Sequence, residues 1–172
     1  MFTVRRIGAS DGALLRRTRL AALADAPGEA LTTLERARRH DDDHWDKAAT
    51  ANASGAQQAT FFACASEDGS DQGDSQGVIG MVGAYANRDG TVNVVGLWSA
   101  PGHRDVGVAQ ALLDAVDSWA NDSGASQLRL WVVERNAHTQ RFYHDVGFAG
   151  TGATMPYEPD PRLVQMEMVR PL

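Results

Sequence analysis

One short stretch of the chain combines residue types that suit an anionic ligand. Pro101 ends an apolar run, and residues 104–109 then lead into an amphipathic segment. The first amides of a helix have no partner within the helix, and the helix dipole places partial positive charge there. Small residues at Gly107 and Ala109 would let phosphate oxygens approach the backbone, and Arg104 adds a fork of donors. The stretch therefore predicts a phosphate site.

The same residues would also occur in a plain strand-to-helix turn whose glycine serves close packing, so the motif alone leaves two interpretations open. Two nucleotide-binding motifs fit poorly. The turn lacks the Gly-Lys-Ser/Thr ending of a P-loop, and it is not the three-glycine dinucleotide motif with its downstream acid. Nucleotide hydrolysis and hydride transfer are therefore disfavoured.

Apolar periodicity predicts the elements that must position this turn. Alternating or continuous apolar runs predict strands at residues 2–7, 60–66, 78–86, 91–99, 128–133 and 163–169. Helical spacing predicts helices after an N-cap at Ser10 and Asp11, and at residues 29–39, 106–120 and 136–145. A further short helix is expected to start at Trp45.

Two connections between the predicted strands carry clear turn or loop signals. Residues 87–90 read Asn-Arg-Asp-Gly, a tight hairpin turn, so strands two to four should form an antiparallel meander. Residues 67–77 are too charged and too rich in glycine to pack, and they predict a flexible loop.

Composition limits the class of protein. The 172 residues suit a single domain, taken as residues 1–172. A net charge of -6 disfavours a nucleic-acid surface, and no segment approaches the roughly 18 apolar residues of a membrane span. The lone Cys64 lies in an apolar run, which predicts a buried strand thiol rather than a nucleophile. We expect a cytoplasmic protein.

Several motifs in one order resemble the GNAT superfamily of N-acetyltransferases. The coenzyme A pattern Arg/Gln-x-x-Gly-x-Gly/Ala is met by Arg104, Gly107 and Ala109. Residues 97–104 resemble the family's preceding strand and turn, with His103 where an aromatic residue is common. The second half, a strand followed by Asn136 and then residues 142–148 with Tyr-x-x-x-Gly-Phe, resembles the family's later signature.

The resemblance implies an α/β fold with helices flanking a mixed, mostly antiparallel sheet of about seven strands, splayed between strands four and five. Acetyl-coenzyme A would lie in the cleft as cosubstrate, with the pantetheine arm paired to the fourth strand like an added strand. No metal is needed. The resemblance maps cofactor contacts onto Leu97, Trp98, Ser99, Arg104, Asp105, Val106, Gly107, Val108, Ala109, Asn136, Thr139 and Tyr143.

The resemblance also implies catalytic roles for direct attack of an amine on the thioester. Tyr143 matches the family's usual acid for the leaving thiolate, although a tyrosine packed against the sheet is an alternative. The amide of Ser99 is the expected oxyanion donor. Some relatives carry a glutamate where this chain has Asn93, so Glu134 is the best remaining carboxylate for the base, with a solvated strand-end glutamate as the alternative.

His40 and His44 flank three aspartates, a spacing that on a helix could place two imidazoles on one face. A solvated acidic loop is the better interpretation, because a zinc site needs further well-placed ligands. In the GNAT arrangement this segment lies where acceptors enter, so Trp45 and the aspartates could recognise a cationic amine.

Three functions remain in competition. The leading one is an N-acetyltransferase acting on a primary amine of a small molecule or a peptide. A non-catalytic acyl-coenzyme A sensor would keep the cofactor motif but lose turnover, and Asn93 gives that alternative some weight. A structural or interaction protein would not bind coenzyme A at all. The acceptor and the oligomeric state, for which a homodimer is one option, are left open.

Overall fold

The computed structural model describes residues 1–28, 30, 32–66 and 77–172. Within these residues the strands are β1 (Phe2–Arg6), β2 (Gln58–Ala65), β3 (Val78–Ala86), β4 (Thr91–Ser99), β5 (Gln127–Val133), β6 (Ala149–Pro156) and β7 (Val164–Pro171). The helices are α1 (Gly12–Asp25), α2 (Leu34–Arg38), α3 (Asp42–Ala53), α4 (Val108–Asp122) and α5 (Ala137–Asp145). The loop predicted at 67–77 lies outside the described residues, except for Gly77.

The strands form a seven-stranded sheet in the order β1-β2-β3-β4-β5-β7-β6. Neighbours pair antiparallel except β4 and β5, which run parallel and pair only from Thr91–Gln127 to Asn93–Arg129. Beyond that point the two strands diverge. The mixed, splayed sheet and the antiparallel meander of strands two to four are therefore confirmed.

β4 carries a bulge just before its divergent end. Met81 pairs with Trp98 but Gly83 pairs with Val95, so β4 has one more residue than β3 over this interval. Gly96, within the bulge, has φ 61°, a conformation that glycine adopts without a steric penalty. The bulge turns the end of β4 away from the regular ladder.

Both faces of the sheet are covered, which explains why β2 reads as a continuous apolar run. One core lies under α4 and α5 and includes Phe61 and Leu112, and the other lies under α1, α2 and α3 and includes Phe62 and Trp45. Consecutive residues of β2 therefore enter opposite cores. Cys64 is buried in β2 as predicted, and burial raises the pKa of its thiol.

A glycine in β3 sets how closely α4 lies on the sheet. A Cβ at Gly80 would lie 2.6 Å from Val108 Cγ1, 2.9 Å from the carbonyl oxygen of Trp98 and 3.0 Å from Leu112 Cδ1. The first turn of α4 therefore packs directly on the backbone of β3. This contact fixes the N-terminus of α4 beside the divergent end of β4.

The structure differs from the sequence prediction at β6, at the start of α4 and at the N-cap of α1, and within the helix predicted at residues 29–39 the described helical residues are Leu34–Arg38. Residues 149–156 form the edge strand β6, which no strand prediction covered, because every residue in it is exposed and shows no alternation. α4 begins at Val108 rather than at 106, because Gly107 adopts φ 85°. Asp11 stands at the N-cap of α1, but its carboxylate accepts hydrogen bonds from Gly8 N and from Arg5 instead of from the helix.

The Gly80 contact predicts a specific stability effect. Gly80→Ala is expected to lower the free energy of unfolding by about 1–3 kcal/mol, the usual cost of overpacking, and to weaken coenzyme A binding by displacing α4. Gly150→Ala is the matched control, because Gly150 is also in a strand and a Cβ there would meet nothing within 4 Å. Urea unfolding and coenzyme A titration of both variants measure the effect, and equal behaviour of the two would contradict the packing argument.

Candidate active site

A cavity of about 990 Å³ opens where β4 and β5 diverge. Its walls come from the ends of β4 and β5, the first turn of α4, and α5. Eleven predicted cofactor residues line it: Leu97, Trp98, Ser99, Arg104, Asp105, Gly107, Val108, Ala109, Asn136, Thr139 and Tyr143. Val106 does not line it, and its side chain is exposed.

The N-terminus of α4 faces this cavity without a side-chain cap. Gly107 is the N-cap residue, in the left-handed region, and no side chain accepts a hydrogen bond from the first turn. A Cβ at Gly107 would meet nothing within 4 Å. The glycine therefore serves backbone conformation and not close packing, which removes the alternative interpretation of the turn. The first-turn amides can donate hydrogen bonds to an anion bound in the cavity.

Arg104 forms an ion pair with Asp25, the last residue of α1. Asp25 also accepts a hydrogen bond of 2.8 Å from the indole Nε1 of Trp98, and Arg104 Nε donates to the carbonyl oxygen of Ser99 at 3.3 Å. These contacts connect the C-terminal end of α1 to β4 and to the turn that precedes α4. Sequence analysis missed Asp25, because nothing in an acidic residue at a helix end indicates a partner 79 positions away.

Asp105 has a strained backbone conformation, and its charge would repel a second anion at the N-terminus of α4. With φ 65° it is the one non-glycine residue of the described chain at positive φ. This conformation has a free-energy cost for L-residues, although Asp and Asn tolerate it better than most. Its exposed carboxylate stands two residues before the N-cap of α4, where a cofactor phosphate would add negative charge.

Tyr143 is buried on α5 and reaches the cavity. Its ring makes edge contacts with Phe142 at 5.3 Å and Phe148 at 5.6 Å between centroids, which fix the ring plane. Asn136 is the N-cap of α5, and its side chain accepts a 3.2 Å hydrogen bond from Thr139 N. Asn136 and Thr139, which both line the cavity, are therefore joined by the hydrogen bond that caps the N-terminus of α5.

Neither position 93, where some relatives carry a glutamate, nor Glu134 places a carboxylate in the cavity. Asn93 is buried, and its Oδ1 accepts a 2.9 Å hydrogen bond from Arg129 Nε at the last paired position of β4 and β5. Glu134 is exposed just after β5 and is not among the residues lining the cavity. The role of Glu134 stays a prediction.

The segment at residues 40–45 is not the loop that the sequence favoured. Asp41 caps α3 by accepting a 2.9 Å hydrogen bond from His44 N, and Trp45 is buried. His40 precedes the helix, and its ring stacks on that of His44 at 3.6 Å between centroids. In the described part of the chain, no group of three His, Cys, Asp or Glu side chains is placed to hold a metal ion.

The sequence from residue 22 to 148 matches the acetyltransferase (GNAT) family. This chain belongs to the GNAT acetyltransferase family. It is therefore an acyltransferase that uses acetyl-coenzyme A as its cosubstrate. No match is found among curated protein sequences. Among the described residues, no helix is long and apolar enough to cross a bilayer.

Solved structures show the same fold. An acetyltransferase from Kribbella flavida is 23% identical, with a TM-score of 0.67 and coverage of 99% of this chain and 98% of that chain. Nourseothricin acetyltransferase is 26% identical, with a TM-score of 0.57, over 67% of this chain and 65% of that enzyme's chain. A Bacillus anthracis protein, provisionally named a streptothricin acetyltransferase and solved with acetyl coenzyme A, is 16% identical over 71% and 66% of the two chains, with a TM-score of 0.59.

The strain and charge at Asp105 predict two separable effects. Asp105→Gly is expected to raise the free energy of unfolding by about 1 kcal/mol or less and to tighten coenzyme A binding about 2- to 5-fold. Asp105→Asn keeps a residue that tolerates positive φ but removes the charge, so it should tighten binding with little change in stability. Thermal unfolding and coenzyme A titration at low salt separate the two, and unchanged affinity in both variants would refute the charge argument.

Proposed function

We propose that this enzyme is an N-acetyltransferase that transfers the acetyl group of acetyl-coenzyme A to a primary amine by direct attack. One observation carries the proposal. A single cavity is lined by the uncapped N-terminus of α4, by the divergent end of β4 and by the buried Tyr143. These are a phosphate site, a free strand edge and a proton donor around one space.

The proposed binding mode of the acetyl donor, acetyl-coenzyme A, follows from backbone geometry. In the proposal, the pyrophosphate accepts hydrogen bonds from the first-turn amides of α4, including Val108 and Ala109. The pantetheine amides pair with Leu97, Trp98 and Ser99, since within the described residues β4 pairs with β5 only as far as Asn93. Unpaired strand groups of this kind need a partner, and the pantetheine arm supplies it.

The reaction needs one oxyanion donor and one acid. The neutral amine adds to the thioester carbonyl, and the tetrahedral oxyanion accepts a hydrogen bond from the amide of Ser99. Collapse breaks the carbon–sulfur bond, and Tyr143 donates its phenolic proton to the departing thiolate. The tyrosinate then recovers a proton from the acetylated ammonium nitrogen or from water, so the products are the amide and free coenzyme A.

The ammonium form of the acceptor must lose a proton before attack. Asn93 cannot accept it, and Arg129 already occupies its oxygen. We propose that the proton leaves through water in the open cleft, with Glu134 able to act only from the solvent side. The pH profile of kcat/KM for Glu134→Gln is then expected to match that of the unchanged enzyme. Loss of the acidic limb in this variant would identify Glu134 as the base instead.

The proposed function is tested by thiol release from acetyl-coenzyme A over a panel of primary amines, with the acetylated product identified by mass spectrometry. The panel includes nourseothricin, because a similar structure carries that name, as well as amino acids, polyamines and peptide amino termini. Saturable release with at least one amine is expected. Tight coenzyme A binding without release for any amine would contradict the proposal.

Tyr143→Phe isolates the acid role. The variant keeps the ring contacts with Phe142 and Phe148, so its fold and its coenzyme A affinity should stay close to those of the unchanged enzyme. Loss of the proton donor is expected to lower kcat about 100-fold or more. Single-turnover rates measure the chemical step directly, and an unchanged rate would show that the hydroxyl has no catalytic role.

A further inference from the structure

A second cavity of about 370 Å³ lies beside the first, between the helices α1 and α3 and the strands β3 and β4. The two cavities share four lining residues, namely Arg19, Tyr85, Val95 and Gly96. Among the described residues, no aspartate or glutamate lines the second cavity, and its ionisable side chains are Arg19, His40, His44 and Tyr85. The electrostatic character of this space is therefore neutral to positive.

Arg19 lies at the junction of the two cavities. Its Nη1 approaches to 2.5 Å of where a Cβ of Gly96 would stand, so the guanidinium rests on the backbone of the β4 bulge. Burial lowers the pKa of the guanidinium, and no neighbouring carboxylate opposes that effect. Glycine at position 96 is thus required for two reasons, its positive φ and the space that Arg19 occupies.

The other arginines of α1 show what is unusual about Arg19. Arg16 pairs with Asp42 at 3.0 Å, and Arg17 is exposed to solvent. Arg19 is half-buried and lines both cavities, yet in the described ranges it makes no hydrogen bond or ion pair. A half-buried guanidinium whose N–H donors line a cavity is able to bind an anion there with little competition from neighbouring groups. The structure therefore holds a cation without its counter-charge, aimed at a cavity that joins the active site.

We infer that Arg19 binds the carboxylate of the acceptor, so that the acceptor is an amino acid or another small amine that carries a carboxylate. This inference rests on the proposed function. Gly96 immediately precedes Leu97–Ser99, the stretch proposed to hold the pantetheine arm, so a carboxylate on Arg19 would leave an amine a few bonds away near the thioester. The planar fork of arginine matches a carboxylate with two parallel hydrogen bonds.

The acidic residues near α3 do not compete with this assignment. Asp41, Asp42 and Asp43 line neither cavity, and two of them already have partners in Arg16 and Lys47. Recognition of a cationic amine by these aspartates, one hypothesis from the sequence, has no support from their positions. The wall that the acceptor meets carries Arg19 instead.

The experiment compares the common L-amino acids with their primary amides, which lack the carboxylate charge and have a more acidic α-ammonium group, so kcat/KM is expressed per neutral amine. Two readouts are used: kcat/KM from thiol release, and the rise in Tm on adding each compound to the enzyme saturated with coenzyme A. Free amino acids are expected to outperform the matching amides in both. Arg19→Met should lower kcat/KM and affinity for the carboxylate forms about 10- to 100-fold, leave the amides nearly unchanged, and leave the KM for acetyl-coenzyme A unchanged.

Three controls separate this role from a structural one. Arg17→Met removes an exposed arginine from the same helix and should change none of these values. Arg19→Lys keeps the charge and should retain part of the preference for carboxylates. Arg19→Met without ligand should unfold at the same or a higher temperature, because the variant removes a half-buried charge that has no partner among the described residues.

The outcomes distinguish the two proposals. Binding that favours carboxylates and depends on Arg19, with no thiol release for any amine, would support the inference and overturn the proposed function. Thiol release that is equal for acids and amides, or that Arg19→Met lowers equally for both, would overturn the inference and leave the proposed function standing. A raised KM for acetyl-coenzyme A in Arg19→Met would assign Arg19 to the cofactor, which also overturns the inference.

Discussion

The site depends on the early separation of β4 and β5. The two strands share only three paired positions, ending at Asn93 and Arg129, and then diverge. An unpaired strand edge inside a protein leaves N–H and C=O groups that need partners. In the proposed complex the cofactor arm supplies those partners, because in the described part of the chain β5 does not pair with β4 beyond Asn93. The cavity, the free edge of β4 and the approach of α4 and α5 are all consequences of this one break in the ladder.

Two contacts stabilise that break, one between two side chains and one between a helix and the backbone of a strand. The hydrogen bond from Arg129 to Asn93 closes the last paired position, so the strands part at a defined residue. Gly80 lets α4 rest on β3, which fills the space under the separated strands with the packed residues Val108 and Leu112. A position that some relatives use for a glutamate thus serves structure here. The pairing with Arg129 explains why an amide at position 93 suits this chain.

Elements with a strong apolar pattern could be predicted from the sequence, and those without one could not. The apolar stripe of α4 and the apolar run of β3 predicted the bounds of both elements to within two residues of those observed. β6 was missed because it is exposed on both faces. α3 was misread, although Asp41 followed by two acidic residues is a helix-start signal, because the acidic run also fits a solvated loop. The capping rule outweighs composition in this case.

The charged side chains of the site mark the limit of sequence reasoning. Arg104 was found because it stands at a fixed spacing within a motif, but its partner Asp25 was not, since their pairing exists only in the tertiary structure. Arg19 was missed for the same reason. An arginine in a helix with Arg16 and Arg17 reads as one of a solvated group, and only the packing of α1 on the β4 bulge places it half-buried at the junction of the two cavities.

Arg104 and Arg19 flank the same strand and differ in one respect that bears on specificity. Arg104 has a carboxylate partner in Asp25, so a phosphate that recruits it must compete with an existing ion pair. In the proposed site this competition lowers the gain from Arg104 and leaves the amides of α4 as the main phosphate ligands. Arg19 has no such competitor within the described residues, so an anion that reaches it gains the full interaction. In the two proposals, Arg19 is therefore the charge available on the acceptor side of the thioester, whereas Arg104 lies on the cofactor side and is already paired with Asp25.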